Sequence, residues 1–140
     1  FEKTGQEDNC HQYGINGGGP CKTVILREDA DTPQGSWTFG QGTVHHVAFQ
    51  VENDDTQKML KDWLEGLGYT DASEQKDRNY FHSVYCRSPG GILTEFATCD
   101  IGFTTDEPLE ELGKNLMLPP WFEDRRAEIV APLEPIKVPQ

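Results

Sequence analysis

The run GTVHHVAFQV, Gly42 to Val51, decides how the chain is read. Its valines, Phe49 and Thr43 suit a half-buried strand, yet two adjacent imidazoles sit at its centre. Side chains alternate across a strand, so Val47, Phe49 and Val51 fall on one face and Val44, His46, Ala48 and Gln50 on the other. The two histidines are therefore unlike, with His45 on the apolar side and His46 opposite. Each has a plain structural reading as a hydrogen-bonded core histidine and a sharper one as a ligand or proton carrier.

Working outward, the strand predicted from Thr43 to Val51 runs into NDDTQKMLKDWLEGLGY, Asn53 to Tyr69. There Leu60, Trp63, Leu64 and Leu67 recur at i, i+3, i+4 and i+7 while charged residues take the other faces, the pattern of an amphipathic helix. Asp54 and Gln57 have the spacing of a capping box. Gly66 or Gly68 can supply the left-handed residue that ends the helix. Strand-like segments follow at Tyr69 to Ser73, Asn79 to Arg87 and Ile92 to Thr98, the last two joined by the turn SPGG. The order is β-α-β-β-β within about 55 residues.

Upstream, residues 1–21 read as the end of one strand followed by the Gly-rich loop NGGGP, and KTVILRE, Lys22 to Glu28, as a short buried strand. The stretch DADTPQGSWTFGQG then reads as a linker. Downstream, helix-start signals at Asp106 with Pro108, and at the Pro119–Pro120 pair, predict helices over Glu107 to Gly113 and Pro119 to Val130, before a Pro-rich end that frays. The fold class is α+β. The predicted domains are a partial preceding module with linker (1–41), a βαβββ module (42–103) and a C-terminal helical tail (104–140).

Composition narrows the function. The 140 residues, 35% hydrophobic, suffice for one domain of common size. They hold neither an apolar run of about 18 residues nor a charged segment leading into an apolar one, which argues against a membrane span and an intact secretory leader. The first residue, Phe1, suggests a processed or truncated product. A net charge of −12, with 24 acidic against 12 basic residues, argues against a nucleic-acid partner. Cys10, Cys21, Cys86 and Cys99 show no CxxC spacing, and two of them lie in or just after strand-like segments that look buried. Reduced thiols in a cytoplasmic protein are expected, with a Cys10 to Cys21 bridge as the alternative.

Parity then gathers a polar group. Ser83, Tyr85 and Arg87 oppose Val84 and Cys86, and Leu93, Glu95 and Ala97 oppose Ile92 and Phe96. His46, Tyr85 and Glu95 thus collect on the face away from the helix. A carboxylate among the apolar residues of GGILTEFAT costs several kcal/mol if buried unpaired, on the order expected for an isolated charge, and a cation beside it would remove that cost. Alone, Glu95 would read as an edge-strand carboxylate facing water. With His46 on a neighbouring strand it reads as one half of a ligand pair.

Three motifs, GTVHHVAFQV, RNYFHSVYCRSPGGILTEFAT and GFTTDEPLEELGKNLMLPPWFEDRRAEI, resemble the vicinal oxygen chelate superfamily, to which glyoxalases and antibiotic-sequestering proteins also belong. Within it they resemble the ring-cleaving dioxygenases of the hydroquinone type, over roughly Thr32 to Val130, the tail motif being the most specific. The resemblance implies a βαβββ vicinal oxygen chelate module with His46 and Glu95 as metal ligands and His45, Arg78 and Tyr85 as catalytic groups around them. It implies Fe(II), with Mn(II) as an alternative, and a hydroquinone or catechol plus dioxygen as substrates. A site of two histidines and one carboxylate on one face of iron leaves positions open for both. Tyr85 and Arg78 would stabilise developing oxyanions and His45 would move a proton.

The family pattern also asks for a second histidine from an N-terminal module. His11 lies in what reads as a polar loop, and His82 points to the helix side by parity, so an N-terminal module or a second chain is expected to supply the third ligand. The chain thus resembles the C-terminal portion of a longer enzyme. Two rival functions stay open: a glyoxalase-like metal-dependent lyase or isomerase, and a non-catalytic small-molecule-binding fragment.

Overall fold

The computed structural model describes residues 1–33 and 38–135, and two compact units divide the chain: residues 1–38 with 89–91, and residues 39–88 with 92–140. Four residues of the expected linker, 34–37, and the Pro-rich end, 136–140, lie outside the described residues.

The first unit is a three-stranded antiparallel sheet in the order β1 (Glu2–Glu7), β2 (Cys10–Gly14), β3 (Thr23–Arg27). The sequence reading expected a single strand before the Gly-rich loop. Asp8 at φ 48° starts a tight reversal that makes two. Gly14 ends β2 where a Cβ would come within 2.7 Å of the Gly18 Cα, so the returning loop needs a glycine there. The β3 strand is not buried as expected: Ile25 and Leu26 are more than half exposed. His11 belongs to β2 rather than to a loop, with Nε2 3.1 Å from Glu28 Oε1 and Nδ1 3.2 Å from Lys3 Nζ. Cys10 and Cys21 stand as free thiols, contrary to the alternative of a bridge.

The second unit carries a four-stranded sheet in the order β4 (His46–Val51), β7 (Leu93–Thr98), β6 (His82–Arg87), β5 (Lys76–Asp77). The β4–β7 pair is parallel and the other two are antiparallel. The chain between the parallel strands β4 and β7 runs through α1 (Asp54–Gly66), β5 and β6, and α1 supplies the crossover that a parallel arrangement requires. Phe49, Val51, Val84, Cys86, Phe96 and Thr98 form the sheet's helix-side set, of which Val84, Cys86 and Thr98 are buried.

Three details of the module depart from expectation. Asn53, not Asp54, caps α1, with Oδ1 accepting from Thr56 N at 3.0 Å. Gln57 is thereby freed to enter the core, where its Nε2 donates to the carbonyls of His82 (2.9 Å) and Phe96 (2.7 Å) and its Oε1 accepts from Gln75 at 2.9 Å. The inward stripe consequently runs from buried Gln57 through half-buried Leu60 and Leu64, while Trp63 and Leu67 are 61% and 57% exposed. At the other end Gly68, φ 95°, closes a Schellman turn through Tyr69 N to Leu64 O and Gly68 N to Glu65 O.

The strand expected over Tyr69 to Ser73 does not form. Side-chain oxygens replace its ladder: Ser73 Oγ accepts from Tyr85 N at 3.0 Å and Asp71 Oδ2 from Arg87 N at 3.0 Å, so the segment needs no extended backbone. Strands β4, β6 and β7 are also shorter at their starts than predicted. In the tail, Leu109–Glu111 is a single 3-10 turn rather than a helix over Glu107 to Gly113. The second predicted helix is 3-10 over Pro120–Arg125 and α-helical only in α2 (Arg126–Val130). Tyr80 Oη fastens the tail by donating to Asp106 Oδ2 at 2.9 Å, with Phe103 against its ring at 4.8 Å. Burial, then the Asp106 carboxylate, pushes the Tyr80 hydroxyl above its ordinary pKa.

Candidate metal centre

The face of the sheet away from α1 holds the site. Pairing sets Ala48 beside Glu95 across the parallel β4–β7 ladder and Tyr85 opposite Glu95 across the antiparallel β6–β7 ladder. Residues in register share a face, so His46, one pleat from Ala48, turns to the same side as Tyr85 and Glu95. The central strand β7 therefore presents its carboxylate between two neighbours that can answer it.

The answers are direct. His46 Nε2 lies 2.7 Å from Glu95 Oε2. Tyr85 Oη donates to Glu95 Oε1 at 2.9 Å, and Ser83 Oγ donates to the same oxygen at 2.5 Å. Glu95 is only 4% exposed, and a buried carboxylate is tolerable here because every contact on it is a donor or an imidazole. Further out, Arg78 Nη2 donates to Tyr85 Oη at 3.3 Å, and its guanidinium carbon sits 5.5 Å from the centre of the Tyr85 ring.

His45 completes the line from the other end. It precedes β4 and is not bound by the strand's alternation, so its Nδ1 reaches His46 Nδ1 at 2.7 Å while Phe39 meets its ring edge-on at 4.7 Å. The reading of His45 as a helix-side core residue does not hold: the ring is exposed. The structure thus brings His45, His46, Arg78, Tyr85 and Glu95 into one hydrogen-bonded chain. Ser83 belongs to it as well and was not singled out; its parity with Tyr85 was the available signal. His82 faces the helix, with Nδ1 2.7 Å from Asp54 Oδ1. On that same side burial, then the charge of Asp71, pushes the Cys86 thiol up to about 11. Cys99, expected to be buried, is exposed.

The donor set fits part of a divalent-metal site. Two donors on bonds of roughly 2.1 Å at a right angle lie about 3 Å apart, close to the separation of the His46 nitrogen and the Glu95 oxygen. One imidazole and one carboxylate also suit a borderline-hard ion. Among the described residues no group of three His, Cys, Asp or Glu side chains could hold a metal, so the pair would offer two donors without a third.

Comparison with known proteins agrees with this architecture. No family model matches the chain. A chlorohydroquinone/hydroquinone 1,2-dioxygenase of Sphingobium indicum is 43% identical over 126 residues, covering 90% of this chain and 39% of the relative. MhqA of Bacillus subtilis, a candidate ring-cleaving dioxygenase, is 41% identical over 120 residues, covering 86% of this chain and 37% of its own length. A crystal structure of a candidate dioxygenase from Bacillus subtilis superimposes with a TM-score of 0.85 at 35% identity, over 99% of this chain and 43% of that one. The chain spans about two fifths of the length of the relatives it matches. No helix among the described residues is long and apolar enough to cross a membrane. By sequence and by fold the chain is similar to part of the ring-cleaving dioxygenases.

Proposed function

We propose that this chain carries the His46–Glu95 part of the metal centre of an Fe(II)-dependent ring-cleaving dioxygenase acting on a hydroquinone or catechol. The observation that carries the reading is the meeting of His46 Nε2 and Glu95 Oε2 at 2.7 Å on a face that also bears Tyr85 and Arg78. Fe(II), or Mn(II) in its place, would be held by those two atoms and supply the redox chemistry by which dioxygen opens an aromatic diol ring. A third ligand would come from an N-terminal module or a second chain.

The residues around the pair have distinct tasks. A ligating imidazole offers its Nε2 lone pair and keeps its proton on Nδ1. His46 Nδ1 then donates to His45 Nδ1, which leaves the His45 proton on Nε2, where it can be given to or taken from a substrate hydroxyl. Tyr85 and Arg78 place a hydroxyl and a guanidinium beside the carboxylate, suited to negative charge developing on a phenolic or product oxygen. The four free thiols suit a reducing, cytoplasmic setting. The lack of a third donor among the described residues favours one rival, a fragment that binds small molecules without turnover.

Anaerobic loading with Fe(II), followed by oxygen uptake with hydroquinone, separates these readings. We expect weak iron binding and slow uptake that needs both iron and the diol and disappears in Glu95→Ala. Turnover near a common enzymatic rate of about 10 per second by a proven monomer would remove the need for an outside ligand. Iron binding unchanged in Glu95→Ala would remove the site.

A further inference from the structure

We infer that Ser83 is a positioning residue for the carboxylate ligand: its hydroxyl holds Glu95 Oε1 so that only Oε2 is offered beside His46. The inference rests on the proposed metal centre and concerns a side chain that the resemblance to ring-cleaving dioxygenases does not assign.

Ser83 is 0% exposed, so its hydroxyl has no water to turn to, and the bond it makes is the 2.5 Å contact to Glu95 Oε1. It stands two residues before Tyr85 on β6, in register with Ala97, so the two hydroxyls approach Glu95 from successive pleats of one strand. Both converge on Oε1, and His46 takes Oε2. The carboxylate is thereby divided into a structural oxygen and a functional one.

That division has a chemical consequence. A free carboxylate can turn and bind a cation through one oxygen or through both. Two donors on Oε1 oppose the turn and weaken that oxygen as a ligand, which leaves one strong donor atom. Tyr85 alone would do this incompletely, because its oxygen also accepts from Arg78 at 3.3 Å and sits where substrate would compete for it. Ser83, fully buried and with no part in that contact, supplies the hold that substrate cannot displace. Such outer partners of ligands typically matter by about 10- to 100-fold in metal affinity.

The test is Co(II) titration of the 140-residue chain, followed by visible absorption and accompanied by thermal melting without metal. We expect Ser83→Ala to weaken Co(II) by about 10- to 100-fold and to alter the absorption band as the carboxylate gains a second binding mode. Ser83→Thr, which keeps the hydroxyl, restores affinity and band. Affinity and spectrum unchanged in Ser83→Ala, with binding lost in His46→Ala, would overturn the inference and leave the site standing. So would a weakened affinity that follows a lower melting temperature while the bound form keeps the wild-type band. Wild-type binding that survives His46→Ala and Glu95→Ala would overturn the site itself.

Discussion

The two faces of the four-stranded sheet solve burial in opposite ways. On the helix face Val84 and Cys86 are buried, and the one buried polar side chain from α1, Gln57, is satisfied by two carbonyls and a neighbouring amide. On the other face Ser83 and Glu95 are equally buried, but beside the hydroxyls on its Oε1 the carboxylate relies on the His46 imidazole, which could serve a cation as readily as it serves Oε2. The first arrangement uses its polar group to lock elements together. The second keeps a buried carboxylate whose imidazole partner a cation could replace, as the proposed metal centre requires. The teaching is that burial alone does not mark a functional residue; the replaceability of its partners does.

Substitutions on the site face should therefore change binding and spare the fold. His46→Ala and Glu95→Ala are each expected to lower divalent-metal affinity by more than about 100-fold, beyond the loss typical of an outer partner. Isothermal titration with Mn(II) measures this, and circular dichroism should show the native spectrum retained. A collapse of the fold in either variant would break the comparison, because Glu95 would then be holding the sheet together. On the helix face the order reverses. Gln57→Ala strands two buried carbonyls and opens a small void, for a cost of about 2–4 kcal/mol by urea unfolding, with Co(II) affinity of the folded fraction unchanged.

The same contrast explains what could be read from the sequence. Strict alternation made the site face legible: once the strands were placed, His46, Tyr85 and Glu95 had to share a side, and the register puts Tyr85 opposite Glu95. The crossover helix was legible from its period and its glycine stop. What stayed hidden was side-chain substitution for backbone. Ser73 and Asp71 take over the hydrogen bonds of an expected strand, and Gln57 leaves an apparent capping box for the core, because Asn53 caps instead. No periodicity distinguishes a polar residue that faces water from one that completes a ladder. Ser83 was missed for the same reason. His45 was misplaced because alternation was extended beyond the first paired residue of β4.

Cys86 sharpens the comparison through pH. Its thiol is raised to about 11 from 9.0, first by burial and then by Asp71, so the folded state keeps a proton that the unfolded chain releases near 9. Stability from this group is fully present below pH 9 and is lost as pH rises through 11. A two-unit shift corresponds to roughly 2–3 kcal/mol at most, so urea unfolding should show a decline across that window that Cys86→Ala removes. An unchanged slope in the variant would mean that the helix face admits water.

The smallest effect is the most discriminating. Asn53→Ala deletes the acceptor for Thr56 N and is expected to cost about 1 kcal/mol. The cap begins the helix whose Gln57 grips the carbonyls of His82 and Phe96, and those residues adjoin Ser83 and Glu95 in their strands. If the faces are independent, this loss stays in the unfolding free energy, and Co(II) affinity should agree with wild type within about twofold, the scale on which well-separated sites add. If affinity falls in step with stability, the helix is positioning the carboxylate through the sheet. The division between a locking face and a binding face would then have to be redrawn as one coupled layer, with Gln57 as the residue that joins them.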